Sequence, residues 1–332
     1  MTVTVSVPGG SYDVITERGI LKRAGEHAKL DRRVLVVTDS GVPEEYARTV
    51  MSQCARPVLV TLPEGEKNKT LASFELLCRT MLENGFTRTD CAVAVGGGVV
   101  TDITGFAASA YMRGIDFYNV PTTLLAQTDA SVGGKTAVDL DGVKNIVGAF
   151  YQPKGVFIDP NVLKTLEKRQ FSSGMAEIIK MAISLDRELF CEIEKAPAGE
   201  NIEKLITESV RLKADIVQRD EKESGLRRVL NFGHTVGHAV ETLSGLYHGE
   251  SVAVGMTYMC SDEVRARLIP VLQKYSLPVS TDIAPERLYE VLLHDKKADG
   301  GYINAVFVNS VGSFEIKKLR SDELLQIMKD KK

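Results

Sequence analysis

Cys91-Ala-Val-Ala-Val-Gly-Gly-Gly-Val-Val-Thr-Asp102, continuing as Ile103-Thr-Gly-Phe-Ala-Ala108, is the stretch that decides the fold. An apolar run that ends in glycines reads as a strand buried on both faces, and the segment after it has the look of a helix. Glycines at a strand-to-helix turn let backbone N–H groups approach a pyrophosphate, and the helix N-terminus adds a potential that favours negative charge. The dinucleotide-binding fingerprint would place Gly or Ala where Thr101 stands, so the match is incomplete. Three consecutive glycines would also make a plain tight turn.

The same grammar extends to both sides. Arg33-Val-Leu-Val-Val-Thr38, Pro57-Val-Leu-Val-Thr-Leu62, Phe117-Tyr-Asn-Val-Pro121 and Gly155-Val-Phe-Ile-Asp159 are β-rich runs, separated by helix-like segments such as Thr70 to Asn84. This alternation predicts a mostly parallel sheet covered on both faces, with ligands at the carboxyl ends of its strands. Farther on, periodic helices are expected at Gly174 to Leu185, Ile202 to Asp220, His234 to Leu243, Ser251 to Leu268 and Pro285 to Leu293. One β-hairpin is expected there, Tyr302 to Val308 against Ser313 to Lys317. The fold class is therefore α/β in two domains, residues 1–160 with a mostly parallel sheet and residues 161–332 mainly α-helical, packed around a shared cleft.

Composition bounds the function. At 44% hydrophobic and 26% charged residues over 332, the chain has ample material for a core and no low-complexity block. A net charge of -3 gives no reason to expect a nucleic-acid partner. Five cysteines, with no C-x-x-C pair, argue against a disulfide framework and a thiolate zinc site. No run of eighteen apolar residues occurs, so no membrane span is expected. Met1-Thr-Val-Thr-Val-Ser-Val7 alternates as a strand does rather than reading as a signal peptide, and a cytoplasmic location is the expectation.

Three of the five histidines, His234, His238 and His248, fall within fifteen residues, which points to a metal site. His234 and His238 are i and i+4, so on a helix they share one face about 6 Å apart, and imidazole suits zinc and its neighbours. Glu177 could supply an oxygen, since catalytic zinc commonly takes three protein ligands and keeps a fourth position open. The spacing favours the pair at 234 and 238 but leaves open which two histidines bind. Cations recur as well. Asp129-Ala-Ser-Val-Gly-Gly-Lys-Thr136 ends like a phosphate-binding P-loop, yet Asp129 stands where the first glycine belongs, so Lys135 reads as a cation on a glycine-rich turn. Lys144, Lys180, Lys213 and Arg227 extend the set, which together suits a polyanionic small molecule.

These residues strongly resemble the sugar phosphate cyclases, and within them the 3-dehydroquinate synthase family. The likeness runs through Pro63-Glu-Gly-Glu-Lys-Asn-Lys69, Gly96-Gly-Gly-Val99, Pro121-Thr-Thr-Leu-Leu-Ala126, Asp129 to Thr136, Lys144-Asn145, Gly148-Ala-Phe-Tyr-Gln-Pro153, Gly174 to Lys180, Arg227 to His238, His248-Gly-Glu250 and Asp295-Lys-Lys297, nearly the whole chain.

The resemblance implies a Rossmann-like NAD-binding domain at the N-terminus, a mainly α-helical metal- and substrate-binding domain after it, and a divalent metal, Zn2+ or Co2+, in the cleft. The implied metal ligands are Glu177, His234 and His248, with His238 moved to proton relay beside the substrate. Implied NAD contacts are Asp39, Glu66, Lys69, Gly97, Gly98, Val99, Asp102, Thr122, Thr123 and Thr165, shared with Asp129, Lys135 and Lys144. Implied substrate and phosphate contacts are Asp129, Lys135, Lys144, Asn145, Lys180, Lys213, Arg227, Asn231 and one of Lys296 or Lys297. The implied reaction converts 3-deoxy-D-arabino-heptulosonate 7-phosphate to 3-dehydroquinate and phosphate, in the shikimate pathway. It proceeds by transient NAD-dependent oxidation, β-elimination of phosphate, re-reduction, ring opening and aldol closure, in a homodimer. Two positions depart from the family pattern: Thr101 replaces a glycine, and Gly41 stands where many members have asparagine. The rival readings are another sugar phosphate cyclase, an NAD- and metal-dependent polyol dehydrogenase, and a non-catalytic binding homologue.

Overall fold

A computed structural model describes residues 1–196, 201–295 and 302–331 of the chain. Lys296 and Lys297, one of them an implied substrate contact, lie outside the described residues. The chain divides into two compact units, Met1–Leu166 with Lys213–Gln218, and Glu167–Leu212 with Arg219–Lys332.

The first unit contains β1 (Thr2–Val7), β2 (Gly10–Thr16), β3 (Arg33–Asp39), α1 (Glu44–Met51), β4 (Arg56–Leu62), α2 (Leu71–Glu83), β5 (Cys91–Gly96), α3 (Gly98–Ala110), β6 (Asp116–Pro121), β7 (Lys135–Leu140), β8 (Val143–Phe150) and β9 (Gly155–Ile158). Seven of these strands form one sheet in the order β1-β2-β9-β6-β5-β3-β4. Its pairs are parallel except β1 with β2, which are antiparallel. The continuous apolar runs are explained by the two faces. Val34 and Val36 of β3 and Cys91, Val93 and Val95 of β5 pack in one core cluster, whereas Leu35, Val37, Ala92 and Ala94 pack in another with α2 and α3. A strand covered on both sides has no polar face to show. The side chain of Thr70 caps α2 by accepting from Ser73 N–H at 3.2 Å. The antiparallel β7–β8 hairpin stands apart from the sheet. Its outer strand is largely exposed, so burial imposes no alternation for a sequence reading to find.

The second unit contains α4 (Lys168–Leu185), α5 (Arg187–Lys195), α6 (Ile202–Arg219, shared with the first unit through Lys213–Gln218), α7 (His234–Ser244), α8 (His248–Tyr258), α9 (Asp262–Lys274), α10 (Pro285–Asp295), β10 (Tyr302–Ser310), β11 (Ser313–Arg320) and α11 (Ser321–Lys331). The expected hairpin is present as β10–β11. The helix expected from Ser251 to Leu268 is two helices. Cys260 makes a bridge to Val308 of β10, and the Ser261 side chain restarts the chain as α9 by accepting from Val264 N–H. Among the described residues, no helix is long and apolar enough to cross a membrane.

Glycines set the spacing of α7 and α8. A Cβ on Gly255 would run into the carbonyl of Gly233, and one on Gly237 would lie 2.9 Å from the carbonyl oxygen of Ser251. A Cβ on Gly249 would run into the carbonyl of Ser173 in α4. Each contact is with main chain, which cannot rotate aside. Gly255→Ala should therefore lower stability by at least about 1–3 kcal/mol, measured by urea denaturation, whereas Gly9→Ala, with nothing within 4 Å of its added Cβ, should stay within about 0.5 kcal/mol of the parent. Equal effects from the two variants would refute the packing argument.

Candidate active site

In the second unit, three donors converge. Glu177 is fully buried in α4, His234 begins α7 and His248 begins α8. Their ligand atoms all lie within 4.8 Å of one another. Glu177 Oε1 is 3.9 Å from His234 Nε2 and 3.5 Å from His248 Nε2. A tetrahedral zinc ion, with bonds of about 2.0–2.2 Å, sets its ligands roughly 3.3 Å apart, so small side-chain movements would seat an ion.

Tautomers point the same way. His234 Nδ1 is 3.2 Å from the Phe232 carbonyl oxygen, and His248 Nδ1 is 3.2 Å from Glu241 Oε2. Carbonyl and carboxylate oxygens only accept, so each Nδ1 carries a hydrogen and each Nε2 is the nitrogen left to face an ion. Burial, and then repulsion from Lys180, holds the His234 imidazole neutral, well below its ordinary value. Burial also opposes charge on His248, but hydrogen bonds to Glu177 and Glu241 outweigh it and push the ring up to about 9. The three residues thus fit a divalent cation, which would replace the proton on His248.

The second oxygen of Glu177 takes a different partner. Lys180, one turn along α4 and 1% exposed, pairs with Glu177 Oε2. His238 follows His234 on α7 with ring centroids 5.2 Å apart, and it is exposed. Its i, i+4 relation to His234 brings it near the group, but the atoms close to it belong with Glu241 and His248. Arg227 is 1% exposed and donates through Nη1 to the Glu221 carbonyl oxygen at 2.5 Å. Asn231 donates to Glu223.

Both Arg227 and Asn231 follow a loop organised by Asp220, which the sequence reading passed over. Its carboxylate accepts from the backbone N–H groups of Ser224, Gly225 and Arg227 at 2.8, 2.8 and 2.9 Å and from Ser224 Oγ at 3.0 Å. Burial works against its charge, but these donors overcome it and hold its pKa far below the usual carboxylate range. Glu250, close to the histidines in sequence, does not join them. It accepts from Tyr247 N–H at 2.8 Å and takes both arms of Arg169 at 2.6 and 2.7 Å, and this capping box fixes the start of α8.

In the first unit the implied cofactor residues gather at the carboxyl ends of parallel strands, where open α/β sheets bind ligands. Asp39 ends β3, Glu66 and Lys69 follow β4, Gly97, Gly98 and Val99 lie where β5 turns into α3, and Thr122 and Thr123 follow β6. Gly97 is the N-cap of α3 and makes no side-chain cap, so the first-turn amides are available to a pyrophosphate. Thr101 is 2% exposed and donates to the Gly98 carbonyl oxygen at 3.0 Å, its hydroxyl spent inside the helix. A Cβ on Gly41 would meet the Glu64 carboxylate, the far end of a flexible, exposed side chain. Asp39 Oδ1 accepts from Gly41 N–H at 2.8 Å. Thr165 lies 2.9 Å from the Tyr46 hydroxyl of α1.

A hydrogen bond ties this group to the β7–β8 hairpin, and two buried lysines are paired with carboxylates. Lys69, 4% exposed, reaches Asp102 Oδ2 and Asn145 Oδ1, each at 2.5 Å. Lys213 reaches Asp129 Oδ1 at 2.5 Å. Lys135 begins β7, Lys144 lies on β8, and both are exposed.

Comparison with known proteins gives consistent matches. The family model for the 3-dehydroquinate synthase N-terminal region matches residues 59–173, and that for the C-terminal region matches residues 174–298. Similar sequences include the 3-dehydroquinate synthases of Enterococcus faecalis (strain ATCC 47077 / OG1RF), 41% identical over 98% of this chain and 97% of that one, and Pelobacter propionicus, 40% identical over 98% of each. Similar structures include a 2-deoxy-scyllo-inosose synthase complexed with carbaglucose-6-phosphate, NAD+ and Co2+, with TM-score 0.90 and 26% identity over 100% of both chains. The 2-epi-5-epi-valiolone synthase of Streptomyces hygroscopicus subsp. jinggangensis 5008, with NAD+ and Zn2+ bound, has TM-score 0.86 and 27% identity over 96% of both. A butanol dehydrogenase of Thermotoga maritima, 15% identical with TM-score 0.67, shares the fold.

Two outcomes follow from the geometry. Hydrogen bonds to Glu177 and Glu241 push the His248 ring up to about 9, so a Zn2+ ion entering this group would displace a proton at neutral pH, and its apparent affinity should fall about tenfold per pH unit from roughly pH 8 to 7; affinity independent of pH would contradict this. Asp220 has a depressed folded pKa, so its contribution is full above the unfolded value of about 3.9 and is lost as pH falls below it. Asp220→Asn should cost about 1.5–3 kcal/mol at neutral pH, and urea denaturation should show the gap from the parent narrowing as the solution is acidified below about pH 4.

Proposed function

Since this chain belongs to the 3-dehydroquinate synthase family, we infer that it converts 3-deoxy-D-arabino-heptulosonate 7-phosphate to 3-dehydroquinate and phosphate, a step of the shikimate route to aromatic amino acids. It is a carbon–oxygen lyase that uses NAD+ and one divalent metal and leaves no net oxidation. The observation that carries the residue assignments is the convergence of Glu177, His234 and His248 on one point, with Lys180 held against the same carboxylate.

In this reading Glu177, His234 and His248 hold the metal, and Asp39, Glu66, Lys69, Gly97, Gly98, Val99, Asp102, Thr122, Thr123 and Thr165 serve NAD+, with residues 1–160 as the cofactor domain and 161–332 as the metal and substrate domain. When bound, the cation, zinc or cobalt, supplies Lewis-acid polarisation of a ring carbinol, and NAD+ supplies an oxidation that is later reversed. The chain's own residues do the rest. Arg227 offers a planar fork to a carboxylate or phosphate, while Lys135, Lys144, Lys180 and Lys213 act as point charges that hold the departing phosphate. Asp129, Asn145 and Asn231 orient hydroxyls, and His238, exposed beside the metal ligands, carries protons. Loss of phosphate follows once the neighbouring carbonyl has acidified a C–H bond, and the phosphate itself takes that proton.

The finer proposals are a homodimer and a cytoplasmic location. Exposed Val143, Ile146 and Phe150 on β8 support the first, and five free cysteines support the second.

Metal-loaded protein incubated with NAD+ and the heptulosonate phosphate should release phosphate and dehydroquinate without accumulating NADH. Stoichiometric NADH without phosphate would instead identify a polyol dehydrogenase and sink the proposal. His248→Ala should lose the metal, whereas His238→Ala should keep it and slow turnover by about 10²- to 10⁴-fold, the usual worth of a positioned proton carrier.

A further inference from the structure

We propose that Glu241 is a positioning residue for His248, fixing its ring as the Nδ1–H tautomer and so turning the Nε2 lone pair toward the point that Glu177 and His234 share. The inference rests on the ligand reading given above. Glu241 lies on α7, two turns after His234. Its Oε2 is 3.2 Å from His248 Nδ1, and the opposite nitrogen of that ring is 3.5 Å from Glu177 Oε1. Both carboxylates are sheltered, with side chains 11% and 0% exposed, and His248 between them is 32% exposed, so water screens these contacts less than it would a fully exposed surface pair.

The two histidines are therefore oriented by different means. His234 hands its Nδ1–H to a main-chain carbonyl, which is neutral and fixed by the fold. His248 hands its own to a charged side chain, which also raises the basicity of the ligand nitrogen. Such outer partners commonly change metal affinity by about 10- to 100-fold.

His238, Glu241 and His248 also lie within 4.8 Å of one another. That group does not form a second cation site beside the first. With Nε2 committed to one ion, His248 could serve another only by giving up the Nδ1 hydrogen that Glu241 accepts. Glu241 acts through His248 and has no contact with substrate in this scheme.

The test is zinc affinity of the full-length chain, measured by competition with a chromophoric chelator, together with the ¹⁵N histidine spectrum of the zinc-loaded protein. Glu241→Ala should weaken zinc binding by about 10- to 100-fold and lose the single Nδ1–H signature of His248. Glu241→Gln keeps an oxygen that accepts from Nδ1–H, so it should preserve the tautomer and lose less affinity than Glu241→Ala. A folded Glu241→Ala protein that binds zinc within about twofold of the parent, against the loss expected of an outer partner, overturns the proposal. His248→Ala separates the two levels: stoichiometric zinc in that variant overturns the ligand reading itself, whereas zinc lost there but held undiminished by Glu241→Ala overturns the role of Glu241 alone.

Discussion

Main-chain contact between α7 and α8 is the constraint on which the geometry of the candidate metal site depends. Gly233, Gly237 and Gly255 leave no Cβ between the two helices, and Gly249 lets the first turn of α8 lie against the Ser173 carbonyl of α4. His234 and His248 are the first residues of their helices, so the spacing of the backbones sets the spacing of the imidazoles. The Arg169–Glu250 pair and the hydrogen bond from Gly249 N–H to Ser173 Oγ hold the start of α8 against α4, which carries Glu177. Donors mounted on packed helices keep their geometry better than donors on loops.

Electrostatics builds on that frame. A buried carboxylate is costly unless it is paired, and Glu177 divides its oxygens between Lys180 and the two histidines. The arrangement moves those histidines in opposite directions. His234, beside Lys180, stays neutral, while His248, between two carboxylates, takes a proton. A divalent cation would satisfy the same carboxylate that the proton does, so its uptake would be linked to acidity. In the other unit, Lys69 with Asp102 and Lys213 with Asp129 follow the same rule of charge buried only in pairs.

Much of this was legible in the chain. The runs at β3 and β5 are apolar at every position because both faces of the sheet are covered, and the glycines after β5 mark the turn into α3. Less visible were features decided by distant partners. The break at Met259 to Ser261 depends on Val308 of β10, although Ser261 followed by two acidic residues was a capping signal open to notice. The β8 strand escaped because it is exposed. Asp220 and Glu241 escaped because an acidic residue on a helix or just past its end looks like a solvated charge until its acceptor geometry is known.

By itself, the sequence determined the parallel sheet, the helical second unit, the family and the residue types at the site, because periodicity and short motifs are local properties of a chain. Local spacing left the grouping of those residues open; the family resemblance implied it, and the tertiary structure brings the atoms together. Helical spacing placed His234 beside His238, yet the nitrogen atoms facing Glu177 belong to His234 and His248, since two separate helices are brought together by glycine contacts that spacing along one helix cannot express. The physical reason is that a sequence specifies which side chains can bind an ion, whereas the distances between their donor atoms are set by backbone packing.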